Sequence, residues 1–239
     1  NIDIVFICMS LNNNFNIRRL ERYLSVAYDS GAAPVVVLTK SDLCSDVGSK
    51  ITEAQNAAPG VDVLAISSLD EDYEAVMNFI LPGKTVAFIG SSGVGKSTLI
   101  NKLTGTDSIA TSEIGNDDKG RHTTTHRELI QVPNGAFVID TPGMRELGMW
   151  DSGDGIGTAF ADIEELSRAC RYTDCTHTAE PGCAVLRALA DGTLDAARLA
   201  SYRKLKTEND YAADNSRYLK SKRTKFKEIA KSNKSNRKR

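Results

Sequence analysis

Long apolar runs are missing from this 239-residue chain: none approaches the ~18 residues a helix needs to cross a bilayer. No membrane-spanning helix is expected, and the opening residues show no secretory-leader pattern. Cysteines that pair off are missing too. There are five, an odd number, and three of them share a 14-residue stretch with a histidine. That argues against a disulfide framework and for a reducing compartment, the cytoplasm. The net charge is only −1, but it is unevenly spread. Residues 201–239 hold 14 Lys/Arg against 4 Asp/Glu, a net of +10, which leaves −11 for residues 1–200. A basic end on an acidic body suits either a polyanionic partner such as nucleic acid or a solvated helix with a frayed end.

A hydrophobic fraction of 41% supplies a core for one medium domain plus a smaller appendage. Short apolar runs at Ile4–Met9, Val35–Thr39, Val61–Ile66 and Thr85–Ile89 predict strands. Helix-period segments at Ile17–Asp29, Lys50–Ala57, Asp70–Ile80 and Lys96–Leu103 lie between or after them. In the first helix Ile17, Leu20, Leu24 and Ala27 share a face, and Asn16 can cap it. The alternation predicts βαβ units, an α/β fold with a mostly parallel sheet covered on both faces. Residues 105–126 are polar and aperiodic and read as a loop. Glu128–Val132 and Ala136–Asp140 follow as an antiparallel hairpin around Pro133-Asn134-Gly135. Beyond residue 150 the Gly-rich Gly153–Gly157 reads as a linker. It leads to short helical segments around a Cys/His cluster, then to a long charged helix from Leu194 to Ala230 and a low-complexity end. The expected division is residues 1–150 and residues 151–239. Because the chain begins almost inside a strand-like run, an upstream domain is expected as well.

Gly90-Ser91-Ser92-Gly93-Val94-Gly95-Lys96-Ser97 satisfies the phosphate-loop pattern between a strand and a helix. Its glycines let the backbone wrap a β-phosphate, whose charge meets N–H groups at the helix start. Lys96 can reach the β- and γ-phosphates, and the Ser97 hydroxyl can ligate Mg²⁺. Asp140, ending a strand 44 residues after Lys96, suits the second Mg²⁺ contact through water. Gly143, closing Asp140-Thr141-Pro142-Gly143, can offer its N–H to the γ-phosphate. The catalytic candidates are thus Lys96, Ser97, Asp140 and Gly143.

Thr39-Lys40-Ser41-Asp42 is a surface turn when taken alone; beside a phosphate loop it reads guanine. The Asp42 carboxylate can accept from guanine N1–H and N2–H₂, a donor pair that adenine lacks, which argues against an ATP-driven enzyme. The Lys40 stem can cover one ring face, and Ser67 and Ser68 follow the next strand as a loop whose backbone N–H reads guanine O6. Thr39 stands where Asn is usual, and its shorter side chain is expected to lose some supporting bonds and weaken affinity. Ordinary GTPases run from phosphate loop through Asp-x-x-Gly to the guanine motif. Here the guanine motif comes first, the order of a circular permutation. A threonine within Gly120–His126 is expected to close over Mg²⁺, without the sequence choosing which one. Met144 stands where many GTPases place the Gln that orients water, so unaided hydrolysis is expected to be slow. His122, His126 or a partner then supplies the missing contact, although either histidine taken singly reads more readily as a plain loop residue.

Cys170, Cys175, His177 and Cys183 offer three thiolates and an imidazole within 14 residues, a set suited to a closed tetrahedral Zn²⁺ with a structural role. Zinc would tie down a region with too few apolar residues to fold alone. Cys8 and Cys44 read as inert thiols.

The permuted order, the Gly120–His126 run, Asp140–Gly143 and the Cys170–Cys183 cluster together resemble the bacterial ribosome small-subunit-dependent GTPase A family (RsgA, also YjeQ, EngC or YloQ). The resemblance covers essentially the whole chain. It implies a circularly permuted GTPase fold followed by a helical zinc-binding domain, with an upstream OB-fold domain. It further implies GTP/GDP with Mg²⁺ and one structural Zn²⁺, and a monomer acting on the 30S subunit and its 16S rRNA late in maturation. Thr39–Asp42 and Gly90–Thr98, including Thr98 itself, would be the nucleotide contacts, and the four Cys/His residues the zinc ligands. A second reading is an RNA-binding module in which nucleotide only switches affinity. There Lys204, Lys206, Arg217, Lys220, Lys222, Arg223, Lys225 and Lys227 meet phosphates, while Tyr211, Tyr218 and Phe226 stack bases.

Overall fold

The computed structural model describes residues 1–12, 14–67, 73–105, 128–140 and 153–214. Six strands form one sheet in the order β3-β2-β1-β4-β6-β5. They are β1 Ile4–Ser10, β2 Ala33–Thr39, β3 Val63–Ala65, β4 Thr85–Ile89, β5 Glu128–Gln131 and β6 Phe137–Asp140. Every neighbouring pair is parallel except the edge hairpin β5–β6. A parallel pair needs a crossover, and helices α1 (Ile17–Asp29), α2 (Val47–Ala57) and α3 (Glu74–Met77) supply it; α4 (Lys96–Thr104) follows β4.

The period-two pattern of the strands divides the core into two layers. From β1, Val5, Ile7 and Met9 join Leu20, Tyr23, Leu24 and Ala27 of α1 on one face. Phe6 and Cys8 point the other way, among Leu99, Ile100 and Leu103 of α4 and Val76 of α3. Phe6 and Phe88 stack there with centroids 4.8 Å apart. Because both faces are covered, the central strands read as unbroken apolar runs rather than as alternation. Asn16 caps α1 as expected, its Oδ1 accepting from Arg19 N at 3.1 Å. Asp46 caps α2 at Ser49 N, so that helix starts three residues before the sequence suggested. Of the expected helix Asp70–Ile80, Glu74–Met77 is helical, and residues 70–72 lie outside the described residues.

Residues expected to be a linker are helical. α5 spans Gly153–Ala159 and is followed by α6 (Ala161–Arg168), α7 (Ala184–Ala190) and α8 (residues 196–214). Glycine serves close packing here, not flexibility: a Cβ on Gly155 would sit 2.1 Å from the Ser25 carbonyl oxygen of α1. Ile156, Phe160, Ile163, Val185, Leu199 and Tyr202 join the same core layer as α1. The region expected to hold too few apolar residues to fold alone shares a core with the sheet, which ties it down alongside any metal. α8 begins after Asp195, whose carboxylate accepts from the backbone N–H groups of Ala197 and Arg198, so the helix starts two residues beyond the expected Leu194. Among the described residues no helix is long and apolar enough to cross a membrane.

Candidate functional site

Five parallel strands end at one edge of the sheet, and the motif loops leave from those ends. β2 delivers Thr39–Asp42, β3 delivers Ser67, and β4 delivers Gly90–Ser97. β6 ends at Asp140, whose backbone pairs with Phe88 two residues before the phosphate loop. Asp140 thus stands at the mouth of that loop; its side chain, Gly143, Ser68, Met144 and the Gly120–His126 run lie outside the described residues.

The phosphate loop is held by close backbone approaches. Gly90 has φ +154°, and a Cβ there would come 2.5 Å from the Cys8 carbonyl oxygen of β1. Gly93 and Gly95 lie at φ +75° and +96°, and Gly95 is the residue that starts α4. Lys96 is buried, with Nζ donating to the carbonyl oxygens of Gly90 at 2.8 Å and Ser91 at 3.0 Å. Ser97 and Thr98 occupy the first turn of α4, where free N–H groups and the helix dipole favour an anion. Burial pushes the Cys8 thiol up to about 12, despite the Lys96 charge, so it is an inert core group as expected.

The base end is tied to the phosphate end by Thr39. Its buried hydroxyl donates to the Val94 carbonyl oxygen at 2.5 Å, joining the two motifs directly. The expected loss of supporting bonds is therefore not observed: the side chain reaches because the loops are close. Lys40 adopts φ 58° and ψ 41°, a left-handed turn costing a non-glycine residue roughly 1–2 kcal/mol. That turn lets Ser41 and Asp42 reverse beside β3, where Ser41 N donates to the Ile66 carbonyl at 3.2 Å. Ser67 Oγ donates to Asp42 Oδ1 at 2.8 Å, which orients the carboxylate at the strand ends.

The second cluster lies between α6 and α7. The four ligand atoms of Cys170, Cys175, His177 and Cys183 all lie within 4.8 Å of one another. Cys170 Sγ is 3.8 Å from Cys183 Sγ, and His177 Nδ1 is 3.6 and 3.5 Å from those two sulfurs. Tetrahedral zinc with bonds of about 2.3 Å to sulfur and 2.0–2.1 Å to nitrogen separates its ligands by about 3.8 and 3.6 Å. A disulfide would bring the sulfurs to about 2.05 Å. The donor set fits zinc. Burial, with the Lys206 charge, holds His177 below its ordinary pKa, which keeps the imidazole in its neutral, ligating form. His177 has φ 59°; with Lys40 it makes up the left-handed non-glycine residues among those described. Both sit in candidate sites, where backbone strain tends to concentrate.

Against this geometry, comparison with known proteins is decisive. A family model for the RsgA GTPase matches residues 1–150. The chain belongs to the RsgA GTPase family. It is 53% identical over 221 residues to small ribosomal subunit biogenesis GTPase RsgA 2 of Lactiplantibacillus plantarum, covering 92% of this chain and 62% of that protein. RsgA 1 of Listeria innocua is 50% identical over 215 residues, with 89% and 62% coverage. The chain thus spans about three-fifths of these relatives' length. Among solved structures, YloQ, described as a circularly permuted GTPase, matches with a TM-score of 0.64 at 29% identity over 88% of this chain and 69% of that one. YjeQ of Thermotoga maritima shares the fold, with a TM-score of 0.64 at 24% identity over 87% and 72%. The RsgA fold, circularly permuted, is the fold of this chain.

Several residues at these sites escaped the sequence reading. Asn14 Nδ2 and Arg19 Nη1 both donate to Ser91 Oγ, at 3.2 and 3.1 Å, bracing the phosphate loop from the start of α1. Glu180 accepts from the N–H groups of Thr176, Thr178 and Ala179 and from the Thr176 hydroxyl, drawing the segment between His177 and Cys183 into a knot. The Thr176 hydroxyl, then its N–H, hold that carboxyl well below the usual range. The run Thr176-His177-Thr178-Ala179-Glu180 carried the signal for this, a carboxylate following small hydroxyl residues in a turn. Nothing local marked Asn14 or Arg19. Lys206, assigned to phosphate contact in the RNA-binding reading, donates to the Tyr202 hydroxyl at 3.0 Å. Tyr211 is exposed, and the candidates from Arg217 onward lie outside the described residues.

Proposed function

We propose that this chain is a GTP hydrolase acting in late maturation of the 30S ribosomal subunit, with turnover stimulated by that subunit and contacts to its 16S rRNA. The observation that carries the reading is the Thr39–Val94 hydrogen bond, which joins a guanine-reading loop to a phosphate loop at one edge of the sheet. The names of the relatives support the ribosomal partner. In this reading residues 1–150 form the nucleotide-binding part and residues 151–239 the helical zinc-binding part with its basic end. The protein works as a monomer in the cytoplasm, in keeping with five cysteines none of which is in a disulfide.

Asp42, oriented by Ser67, selects guanine, and the Lys40 stem covers the ring. Ser68, with Ser67, completes the base loop. Gly90, Ser91, Ser92, Gly93, Val94 and Gly95 wrap the phosphates, with Thr98 at the start of the helix. Lys96 exchanges its loop carbonyls for β- and γ-phosphate oxygens. Water attacks the γ-phosphorus in line as the bond to the β–γ bridging oxygen breaks, and GDP and phosphate leave, the water's protons passing to phosphate and solvent. Lys96, the Gly143 N–H and the loop amides stabilise the charge that develops. Ser97 and Asp140, hard oxygen donors, would hold Mg²⁺, which would supply neutralisation of the phosphate charge. Zinc at Cys170, Cys175, His177 and Cys183 would supply a cross-link and no chemistry, since four protein ligands close the site. Met144 offers the attacking water no hydrogen bond, so the missing polar contact comes from the ribosomal complex or from His122 or His126.

Steady-state GTP hydrolysis with and without purified small subunits tests this, with ATP as control and Lys96→Ala as blank. Subunit-dependent stimulation is expected, with the Lys96→Ala rate about 100-fold lower. Turnover indifferent to subunits, together with RNA binding indifferent to nucleotide, would favour the RNA-binding module instead.

A further inference from the structure

The strand order reverses between β1 and β4, and the loops that follow these two strands meet there. Asn14, Ser91 and Arg19 close a triangle at that point. Ser91 Oγ accepts from Asn14 Nδ2 at 3.2 Å and from Arg19 Nη1 at 3.1 Å, and Arg19 Nη1 also donates to Asn14 Oδ1 at 2.9 Å. A hydroxyl that accepts twice has only its proton left to give, so its rotor is fixed. Ser91 is the second residue of the phosphate loop and is buried. Arg19 thus holds the loop from a neighbouring element, with its own backbone N–H fixed by the Asn16 cap.

The same helix grips the C-terminal helices with adjacent residues. The buried Glu21 carboxylate accepts from Arg18 at 2.5 Å and from the buried Arg198 of α8 at 3.1 Å. Arg18 reaches Asp195 at 2.9 Å, and Arg22 pairs with both oxygens of Glu208 at 2.6 and 3.0 Å. Arg198 also holds Asp162 of α6 and lies 4.8 Å from the Phe160 ring centroid. α5 presses directly on the α1 backbone at Gly155. A single rigid element therefore ends on the phosphate loop at Arg19 and on α8 at Arg18, Glu21 and Arg22. No flexible joint separates the two sets of contacts.

We propose that Arg19 is a positioning residue of the phosphate loop, and that α1 makes guanine-nucleotide affinity depend on docking of the C-terminal helices. The inference rests on the nucleotide-binding reading above. Docked helices hold α1 where Arg19 meets Ser91; a bound nucleotide fixes the loop and so favours the docked arrangement. Linkage makes the two effects equal in size. This route is separate from the chain connection after Asp140, since it passes through packed side chains and not through the backbone.

The test is the dissociation constant of a fluorescent GDP analogue for the whole chain, in a cycle of Arg19→Ala, Glu208→Ala and the double variant. Glu208 touches none of the nucleotide motifs, so a purely local account predicts no effect there. Glu208→Ala is expected to weaken binding roughly two- to tenfold, and Glu208→Gln less, as it keeps one acceptor. Arg19→Ala is expected to weaken it by about tenfold or more, with partial recovery in Arg19→Lys, whose ammonium can still reach one of the two partners. The double variant should be no weaker than Arg19→Ala alone. Far-UV circular dichroism confirms that each variant is folded, and Glu208→Gln carries the cycle if Glu208→Ala is not. Wild-type affinity in Glu208→Ala and Glu208→Gln, or effects that multiply fully in the double variant, would overturn the coupling. Failure of the wild-type chain to bind GDP would instead overturn the nucleotide reading itself.

Discussion

The nucleotide edge and the cysteine cluster are both multi-part sites, yet they gather their parts in opposite ways. The first collects loops from β2, β3, β4 and β6, residues separated by up to a hundred positions, and aligns them through strand register. The second takes four ligands from 14 consecutive residues and aligns them by local turns, the Glu180 knot and an Arg171 N–H to Gly182 carbonyl bond at 3.1 Å. A sheet fixes its site whether or not a ligand is bound. A short loop of polar residues needs its ligand to define it. The expected asymmetry is that the cluster can be dismantled while the sheet edge keeps working.

The largest break should come from Cys183→Ala. Zinc content measured per chain should fall from one to none, with affinity lowered roughly 100-fold or more, and thermal melting should lose its sharpness for α6 to α8. Guanine-nucleotide affinity in the same variant should stay within about tenfold of wild type. Collapse of both would mean that the two sites form one cooperative unit. Next in size is Asp42→Asn, which converts the carboxylate acceptor into an amide. Competition between GDP and XDP should shift by about 100-fold toward xanthine, and unchanged selectivity would remove Asp42 from the base site. Thr39→Val keeps the shape and deletes the hydroxyl that joins the motifs, leaving the buried Val94 carbonyl without that donor. Nucleotide affinity should drop by about tenfold, read by titration, with zinc content untouched.

The smallest effect is expected from acid. Burial acts to raise the Asp162 pKa, but hydrogen bonds from Arg198 outweigh it, and the value ends below the ordinary one. The hydrogen bond from Arg22 lowers Glu208 likewise. Carboxyls with depressed folded values stabilise fully above their unfolded range, about pH 4 to 4.5, and that contribution fades as pH falls through the lowered values. Protection of the amides of residues 196–214 relative to their intrinsic exchange rates should therefore stay high at pH 6 and fall below about pH 4, ahead of that in β1 and β2. Loss of protection on raising the pH from 5 to 7 would contradict this sign.

The sequence carried the sheet almost residue for residue because buried parallel strands are apolar without interruption, as Phe6–Met9 and Val35–Leu38 are. It carried the phosphate loop and the gathering of Cys170, Cys175, His177 and Cys183 because spacing alone encodes them. It missed the helical nature of Gly153–Ala159, where glycine is selected by the Ser25 carbonyl 2.1 Å from its absent Cβ, a tertiary fact that no local pattern reveals. It saw only one face of α1. Leu20 and Leu24 marked the sheet side, while nothing local marked Glu21 and Ser25, also buried: Glu21 pairs with Arg198, 177 positions away, and the Ser25 hydroxyl donates to the Glu21 carbonyl. Thr39 was judged by length alone; the closeness of Val94 decided what it could reach.

β1 is the first strand of the chain and also the middle of the sheet, and this orders the site in time. While the polypeptide is being synthesised, β2 and β3 can zip onto one side of β1 once residue 65 has emerged, bringing Thr39 to Asp42 into their turn. Those pairings close short loops and form early. The other flank of β1 waits for β4, and the edge beyond it for the hairpin at residues 128–140. On that order the Thr39–Asp42 turn is set before the Gly90–Ser97 loop meets its neighbours.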